Sequence, residues 1–510
     1  MQTKSRTKKA TYNILSNAVY EGVAMISSLI LPRLILTHYG SAYNGIATSA
    51  TQFLSLISIL TVGVTASTRV ALYKTLAAND LQGTSSIVRA TEIYMRKIAM
   101  ILMAYIFGLA VLYPIIVKTG FSYFDVAILI FITGLSSFAE YYFGITHRTL
   151  LLADQSVYIS NIFNTIATFL SLVTAVLLIL TGCSFQIVKL SIVIIHVLKF
   201  VYQNYYISTH YQLDKKSKPD LSALQGRKDA MMHALANIVH DNTDMVVLTL
   251  FTNVKVVSVY TVYNLVMNAL KKIQLIMNTG TEPIFGNMWV KGESEKLKQT
   301  LEFYEFVAAM FCSIVFSTTL ITILSFVKIY TRGVTDVEYI RPVYAVVITL
   351  ATAVQIIRTP YVSFIGGIGH YKQTKKAAIV EAATNLGLSV VLVNFIGIVG
   401  VAIGTLAANL IRTLHFGFYI DDNVIKRGKW TFLGKMIWAF FNISILYLIY
   451  IYTFKNITIE GWINWIIFAV GVFLICSIFS VLSSMVFYRK DLMKTLNRLK
   501  NIMQKTIGKG

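Results

Sequence analysis

The sequence predicts an all-α polytopic membrane protein with about fourteen transmembrane helices. Three observations predict this class: an apolar composition, apolar runs long enough to cross a bilayer, and positive charge that collects after alternate runs. Hydrophobic residues make up 56% of the 510 residues, charged residues make up 13%, and the mean hydropathy is +0.65. A soluble domain needs a larger share of polar residues for its surface, so a soluble protein is excluded.

The apolar runs recur along the whole chain with short polar breaks between them. A helix needs about 20 apolar residues to cross the hydrocarbon core. The predicted spans one to fourteen are Tyr12–Leu36, Ile46–Leu72, Tyr94–Val117, Tyr123–Ile145, Val157–Leu180, Phe185–Ile207, Ala230–Phe251, Val256–Gly280, Leu301–Phe326, Pro342–Ile365, Ala377–Ile396, Val399–Ile420, Phe432–Phe454 and Trp462–Phe487. No connection between them is long enough for a soluble catalytic domain, and no nucleotide-binding or hydrolase motif appears, so we expect no enzyme activity.

The net charge of +22 is distributed by membrane side. Basic residues precede span one and follow the even-numbered spans; Lys215, Lys216 and Lys218, for example, follow span six. Odd-numbered spans are followed by few basic residues. Because positive loops stay in the cytoplasm, both termini are predicted to be cytoplasmic. The basic excess therefore reflects topology, and a nucleic-acid partner is not expected.

An internal duplication is predicted from a comparison of the chain with itself in the register that places Asn17 on Asn237. This register also places Leu15, Val19, Met25, Tyr43 and Asn44 on Leu235, Val239, Met245, Tyr263 and Asn264, and Glu21 on Asp241. We therefore expect two six-helix, pseudo-symmetric lobes around a central cavity. The predicted parts are an N-lobe at 1–211, a cytoplasmic linker at 212–228, a C-lobe at 229–425, an extra helix pair at 426–488 and a basic tail at 489–510.

Acidic residues inside the spans are candidates for ion coupling or gating. In span seven, Asp241 and Asp244 lie on a polar stripe at helical spacing, and Glu21 lies in span one. Glu381 in span eleven and Arg412 in span twelve are candidates for a cytoplasmic-side gate of salt bridges. Ionisable side chains at membrane depth are costly and usually serve a function. Hydrogen-bond contacts between helices or ordinary structural ion pairs remain the alternative.

Basic and amide side chains are candidates for contact with a charged cargo. Arg69 lies near the inner end of span two, Lys271 lies within span eight beside Asn264 and Asn268, and Arg358 precedes Pro360 in span ten. Guanidinium and ammonium groups suit a phosphate or pyrophosphate headgroup. The proline is predicted to break or bend span ten. No metal site and no cofactor are expected beyond a coupling ion, Na⁺ or H⁺.

The N-terminal sequence resembles a known family. The run Leu31-Pro32-Arg33-Leu34-Ile35-Leu36, then Gly40-Ser41 and Tyr43-Asn44-Gly45, and then Thr68-Arg69-Val70-Ala71-Leu72-Tyr73-Lys74, resembles the start of Wzx-type polysaccharide-biosynthesis flippases. The run Asp241 to Val247, followed by Val259-Tyr260 and Tyr263-Asn264, is similar to the seventh and eighth spans of that family. These flippases belong to the multidrug/oligosaccharidyl-lipid/polysaccharide exporter superfamily. The resemblance extends from the N-terminus to about Gly280.

The resemblance implies a flippase with alternating access in the bacterial inner membrane. Its cargo would be an undecaprenyl-pyrophosphate-linked oligosaccharide for O-antigen, capsule or exopolysaccharide, with glycan polymerase or assembly proteins as partners. A lipid II flippase of the same superfamily ranks lower, because those proteins have arginines in the centre of span one, where this chain has Glu21. A cation-coupled small-molecule exporter ranks beside it, and a membrane glycan polymerase is less favoured.

Overall fold

The structure is a computed structural model that describes residues 6–117, 119–214, 216–224, 242–278, 281–428, 430–454 and 458–507. All regular secondary structure in these ranges is helical. The main helices are α1 (Arg6–Tyr39), α2 (Ser41–Ala77), α3 (Leu81–Ile116), α4 (Tyr123–Ala153), α5 (Val157–Leu180), α6 (Phe185–Tyr211), α7 (Asn242–Phe251), α8 (Val254–Asn278), α9 (Thr281–Val290), α10 (Ser294–Tyr330), α11 (Pro342–Ile368), α12 (Tyr371–Ile396), α13 (Ile398–Ile425), α14 (Trp430–Phe454), α15 (Trp462–Phe487) and α16 (Arg489–Ile507).

The predicted class, an all-α polytopic membrane protein, is confirmed. Twelve of the described helices are long and apolar enough to cross a membrane. The other two predicted spans correspond to α7, described from Asn242 onwards, and to α8, which is not among the twelve. The fourteen predicted spans are therefore consistent with the described helices.

The predicted register of the duplication does not align the breaks between helices. A break at Gly40, where φ is +87°, separates α1 from α2, and the corresponding break between α7 and α8 lies at Thr252 and Asn253. The register that places Asn17 on Asn237 would place Gly40 on Tyr260, inside α8. If the first helical residues after the two breaks, Ser41 and Val254, are aligned instead, Glu21 falls on Ala234. Asp241 lies outside the described residues, so its equivalence to Glu21 stays a prediction.

By packing, the chain forms two compact units, whose bounds differ from those of the predicted lobes. The first unit comprises residues up to Thr261 with Gly333–Val337, and the second comprises the remainder. In the first unit α2 meets the start of α8 closely, because a Cβ added at Gly45 would overlap the carbonyl oxygen of Val254. Beside it, Asn44 donates a 2.8 Å hydrogen bond to the hydroxyl of Ser258. Residues 242–261 thus pack with the N-terminal helices.

In the second unit the predicted extra helix pair, α14 and α15, packs against α10. A chain of hydrogen bonds joins the three helices: Trp438 donates to Ser483, Ser483 to Asn442, and Asn442 to Ser313, at 2.8 to 3.0 Å. The hydroxyl of Ser313 also lies 2.6 Å from that of Ser480. Such bonds stabilise helix pairs where no hydrophobic force operates between helices in lipid.

The basic tail forms α16, which is separated from α15 by Tyr488. Leu492 is buried against the second unit, whereas Met493 and Leu496 are about half exposed. The guanidinium of Arg498 lies 4.6 Å from the ring centroid of Phe303 in α10. The basic tail is thus helical over Arg489–Ile507 and packs against α10.

Candidate functional site

Three predicted site residues meet in the second unit. Arg358 in α11 donates to Glu381 in α12 at 2.6 Å, and Arg412 in α13 donates to the other carboxylate oxygen of Glu381. The side chain of Glu381 is 1% exposed and that of Arg358 6% exposed. Three helices thus converge on one buried carboxylate. We call Arg358, Glu381 and Arg412 the ion triad.

The local sequence explains where Arg358 lies. Helix α11 divides into Pro342–Ile357 and Thr359–Ile368, with Arg358 at the junction and Pro360 two residues after it. Proline has no N–H to continue the helical hydrogen bonds, so the helix is interrupted there. The predicted break in span ten is confirmed. The guanidinium of Arg358 leaves this junction towards α12.

The ion triad carries more positive than negative charge. Two guanidinium groups share one carboxylate, which leaves a net charge of +1 among the three side chains. Within the described ranges, the Nε of Arg412 is buried without a hydrogen-bond partner, and so is Nδ1 of His415, one turn further along α13. The guanidinium of Arg412 also lies 5.0 Å from the ring centroid of Phe416. Among the described residues, two buried nitrogens therefore remain unsatisfied on the Arg412 side of the triad.

A second buried ionic group, which sequence reasoning missed, lies in the same unit. Arg427 donates to Asp421 at 2.7 Å and contacts Glu305 of α10, and Lys435 of α14 lies 3.2 Å from the second oxygen of Glu305. The side chains of Glu305, Arg427 and Lys435 are at most 5% exposed. We call Glu305, Asp421, Arg427 and Lys435 the ionic cluster.

The neighbouring carboxylates keep the guanidinium of Arg427 charged within the ionic cluster. Burial opposes the charge, but the carboxylates of Glu305 and Asp421 outweigh it and raise the pKa of the Arg427 guanidinium above its ordinary value. Arg427 lies in the connection between α13 and α14, and Glu305 lies in α10. The cluster therefore ties the connection to two helices. The sequence did contain a signal for this cluster. Glu305, like Glu381, is an acidic residue within a predicted span, and such residues usually serve a function.

The remaining predicted site residues lie in both units. Asp244 is buried, at 7% exposure, and Glu21 is partly buried; both belong to the first unit. Arg69 is exposed on α2. Asp241, with the polar stripe residues before it, lies outside the described residues.

On α8 in the second unit, Asn264 and Lys271 are partly buried and Asn268 is exposed. The roles predicted for these residues in cargo contact or ion coupling remain predictions.

The neighbour of Asp241, Asn242, accepts hydrogen bonds from Gln52 and, at 2.6 Å, from Ser55 in the first unit. This amide therefore joins α7 to α2.

Comparison with known proteins identifies the fold. The sequence matches no protein-family model and no curated protein. Among solved structures, the lipid II flippase MurJ in an inward closed conformation matches with a TM-score of 0.67 at 15% identity. The match covers 94% of this chain and 99% of that one. The chain has the fold of this flippase.

Two MATE transporters share the fold less completely. An inward-facing MATE transporter of the MOP superfamily has a TM-score of 0.59 at 15% identity, covering 86% of this chain and 95% of its own. A mutant form of the Vibrio cholerae MATE transporter VcmN has a TM-score of 0.56 at 15% identity, covering 83% of this chain and 99% of its own. The flippase structure thus accounts for more of this chain than either transporter does.

Proposed function

We propose that the protein is a flippase that moves undecaprenyl-pyrophosphate-linked oligosaccharide units across the bacterial inner membrane by alternating access. The observation that carries this proposal is the match to a lipid II flippase over 94% of the chain, a larger share than the multidrug transporters match. The resemblance of the N-terminal motifs to Wzx-type flippases supports an oligosaccharide cargo. The product would serve surface polysaccharide synthesis.

In each unit taken by itself, cationic and amide residues that are not fully buried are the candidates for contact with the cargo headgroup. Arg69 is exposed, and Lys271 and Asn264 are partly buried beside the exposed Asn268. A pyrophosphate carries charge that ammonium and guanidinium groups neutralise. Arg358 is reassigned: because it is nearly buried and bonded to Glu381, it belongs to the ion triad and not to a cargo surface.

The acids are assigned to coupling and gating. Glu21, Asp241 and Asp244 would take up and release Na⁺ or H⁺ and so connect cargo movement to an ion gradient. Carboxylates at membrane depth are suited to this, since their charge is costly unless a cation or proton is bound. The ion triad would hold α11, α12 and α13 together in one of the two conformations.

The proposal is tested by flipping of a labelled undecaprenyl-pyrophosphate oligosaccharide in vesicles with the purified protein. We expect Lys271→Ala to lower the rate at least tenfold, with Lys272→Ala, the exposed neighbour, as the matched control. Triple replacement of Glu21, Asp241 and Asp244 by alanine should abolish the response to an ion gradient. Wild-type rates in the Lys271 variant would contradict the cargo assignment, and an unchanged gradient response would contradict the coupling assignment.

Lipid II is the second candidate cargo, favoured by the TM-score of 0.67 with a lipid II flippase. Both cargoes share the undecaprenyl-pyrophosphate anchor and differ in the attached sugars, so competition in the vesicle assay distinguishes them. Rescue of a strain depleted of its own lipid II flippase would select this candidate. Loss of surface glycan with normal cell-wall growth in a deletion strain would select the oligosaccharide.

The small-molecule exporter is the third candidate, favoured by the fold shared with MATE transporters. Its expected phenotype is drug sensitivity of a deletion strain with an unchanged surface glycan. Normal drug tolerance in that strain would exclude it.

A further inference from the structure

A polar cleft of about 360 Å³ lies within the first unit between α3, α4 and α6. Arg89, Glu92 and Arg96 line it from α3, His147 from α4 and Asn204 from α6. None of these residues belongs to the proposed cargo or coupling sites. Ionisable groups inside a membrane protein are costly without partners, so a cleft that gathers several of them favours a polar ligand or water.

Hydrogen-bond donors exceed acceptors in this cleft. Glu92 is the acid at its centre, with Arg89 at 3.2 Å and His147 at 3.8 Å. Arg96 lies 4.0 Å from the same carboxylate, and no hydrogen-bond acceptor in the described part of the chain reaches its buried Nε. Each guanidinium has five N–H donors. One carboxylate cannot occupy all the donors of two guanidinium groups, so N–H donors remain for a ligand.

The second acid at the cleft, Asp214, is hydrogen-bonded within its own turn. Asp214 lies in the connection after α6, and its two oxygens serve its own turn. One accepts from the backbone N–H of Lys216 at 2.8 Å, and the other accepts from the hydroxyl of Ser217 at 3.1 Å. Among the described residues that line the cleft, Arg89 and Arg96 therefore share the carboxylate of Glu92.

A π-helical segment of α4 precedes the histidine of the cleft, His147. Helix α4 has a π-helical segment at Glu140–Gly144, shortly before His147. Such segments occur often at functional sites. Nδ1 of His147 donates to the carbonyl oxygen of Phe143 at 3.1 Å, so Nε2 faces Glu92. The imidazole edge thus faces the carboxylate of Glu92 in the cleft.

The cleft borders the lipid-facing surface near the basic ends of the helices. On α6, Val201 is 50% exposed, Tyr202 61% and Tyr205 70%, and Tyr205 also lines the cleft. Apolar and tyrosine side chains exposed on a membrane helix face lipid, and tyrosine favours the headgroup level. The nearby helix ends, at Leu81 and Tyr211, lie on the side predicted to be cytoplasmic.

We propose that this cleft binds the phosphate group of an anionic phospholipid from the cytoplasmic leaflet. Arg89 and Arg96 donate to the phosphate, and Tyr205 packs beside the glycerol and upper acyl chains. Basic pockets between helices on the cytoplasmic side recognise such headgroups. A soluble phosphate ester has the same charged group, but the exposed aromatic edge at Tyr205 favours a lipid.

The site is independent of the proposed cargo. A lipid bound here would stabilise the packing of α3, α4 and α6 in the first unit without itself being transported. Loss of this bound lipid would therefore leave the identity of any cargo unchanged.

The test uses full-length protein in phosphatidylcholine nanodiscs titrated with phosphatidylglycerol, with bound lipid counted by native mass spectrometry. We expect the double variant Arg89→Ala and Arg96→Ala to weaken phosphatidylglycerol binding roughly tenfold or more, because it loses two charge-assisted contacts. Lys97→Ala, an exposed neighbour on α3, is the matched control and should bind as the wild type does.

A second variant separates the proposal from a folding defect. Glu92→Gln removes the competing carboxylate, so phosphatidylglycerol should bind more tightly, a result that a misfolded protein would not give. Equal binding by the wild type and the double variant would overturn the site. Inorganic phosphate that displaces phosphatidylglycerol at low millimolar concentration, or binds as tightly in phosphatidylcholine nanodiscs, would overturn the lipid assignment in favour of a soluble ester.

Discussion

Nη1 of Arg358 lies 2.6 Å from Oε1 of Glu381 in surroundings where the carboxylate is 1% exposed. The second oxygen of Glu381 is taken by Arg412. The whole group thus depends on one acidic side chain. Charges removed from water in this way are stable only while each retains its partner.

Glu381→Ala is expected to destabilise the protein by about 3–5 kcal/mol, because it leaves two guanidinium groups buried without this counter-charge. Thermal unfolding of the detergent-solubilised protein measures this. Replacing Arg358, Glu381 and Arg412 together by leucine should cost less than the single alanine, since no isolated charge remains. A triple variant less stable than the single variant would refute this explanation.

Glu305→Gln is expected to cost a similar amount, about 3–5 kcal/mol, because Arg427 and Lys435 lose their shared carboxylate. Glu302, whose side chain is 22% exposed and 3.8 Å from Arg427, is the matched control. Glu302→Gln should change the unfolding free energy by less than about 1 kcal/mol. Equal losses in the two variants would show that burial of Glu305 is not the cause.

Gly45→Ala is expected to separate α2 from the start of α8. Its Cβ would overlap the carbonyl oxygen of Val254, and backbone atoms cannot rotate away as a flexible side chain can. We expect a loss of about 1–3 kcal/mol or more. Gly22→Ala on α1 meets open space within the described structure and should be neutral or stabilising, because alanine favours the helix. Unfolding temperatures of the two variants compare them directly.

Asn442→Ala is expected to destabilise the protein by roughly 1–2 kcal/mol, because Ser313 and Ser483 lose a partner within the helix bundle. The exposed Asn394, which donates to the carbonyl of Val390 one turn earlier in its own helix, provides the control. Asn394→Ala should leave the unfolding temperature almost unchanged. A larger loss in the control would indicate that the hydrogen-bond chain contributes little.

The helices were predictable from sequence because crossing a bilayer demands long apolar runs. The described part of each predicted span is helical except at Val117 and at the break at Arg358. Pro360 likewise predicted the interruption beside Arg358, since a missing N–H acts locally. The duplication register stays a prediction, because most of the segment that it matches to α1 lies outside the described residues.

The candidate site was predicted in part. Glu381 and Arg412 stood out as charges within apolar runs, and the structure joins them to Arg358. The ionic cluster was missed because its members come from α10, α14 and the region where α13 ends. Arg427 also counted among the basic residues that set topology. A charge near a helix end satisfies the positive-inside rule whether or not it is buried, so only the fold reveals its partners.

Deleting α14 and α15 would remove hydrogen-bond and aromatic partners of α10. The hydroxyl of Ser313 would face hydrocarbon without Asn442 and Ser480, and the aromatic surface of Phe306 would lose Trp438, whose ring stacks on it at 6.1 Å between centroids. Helices α14 and α15 thus complete the packing of α10. Any shortened form would need apolar replacements along α10 before it could be inserted stably.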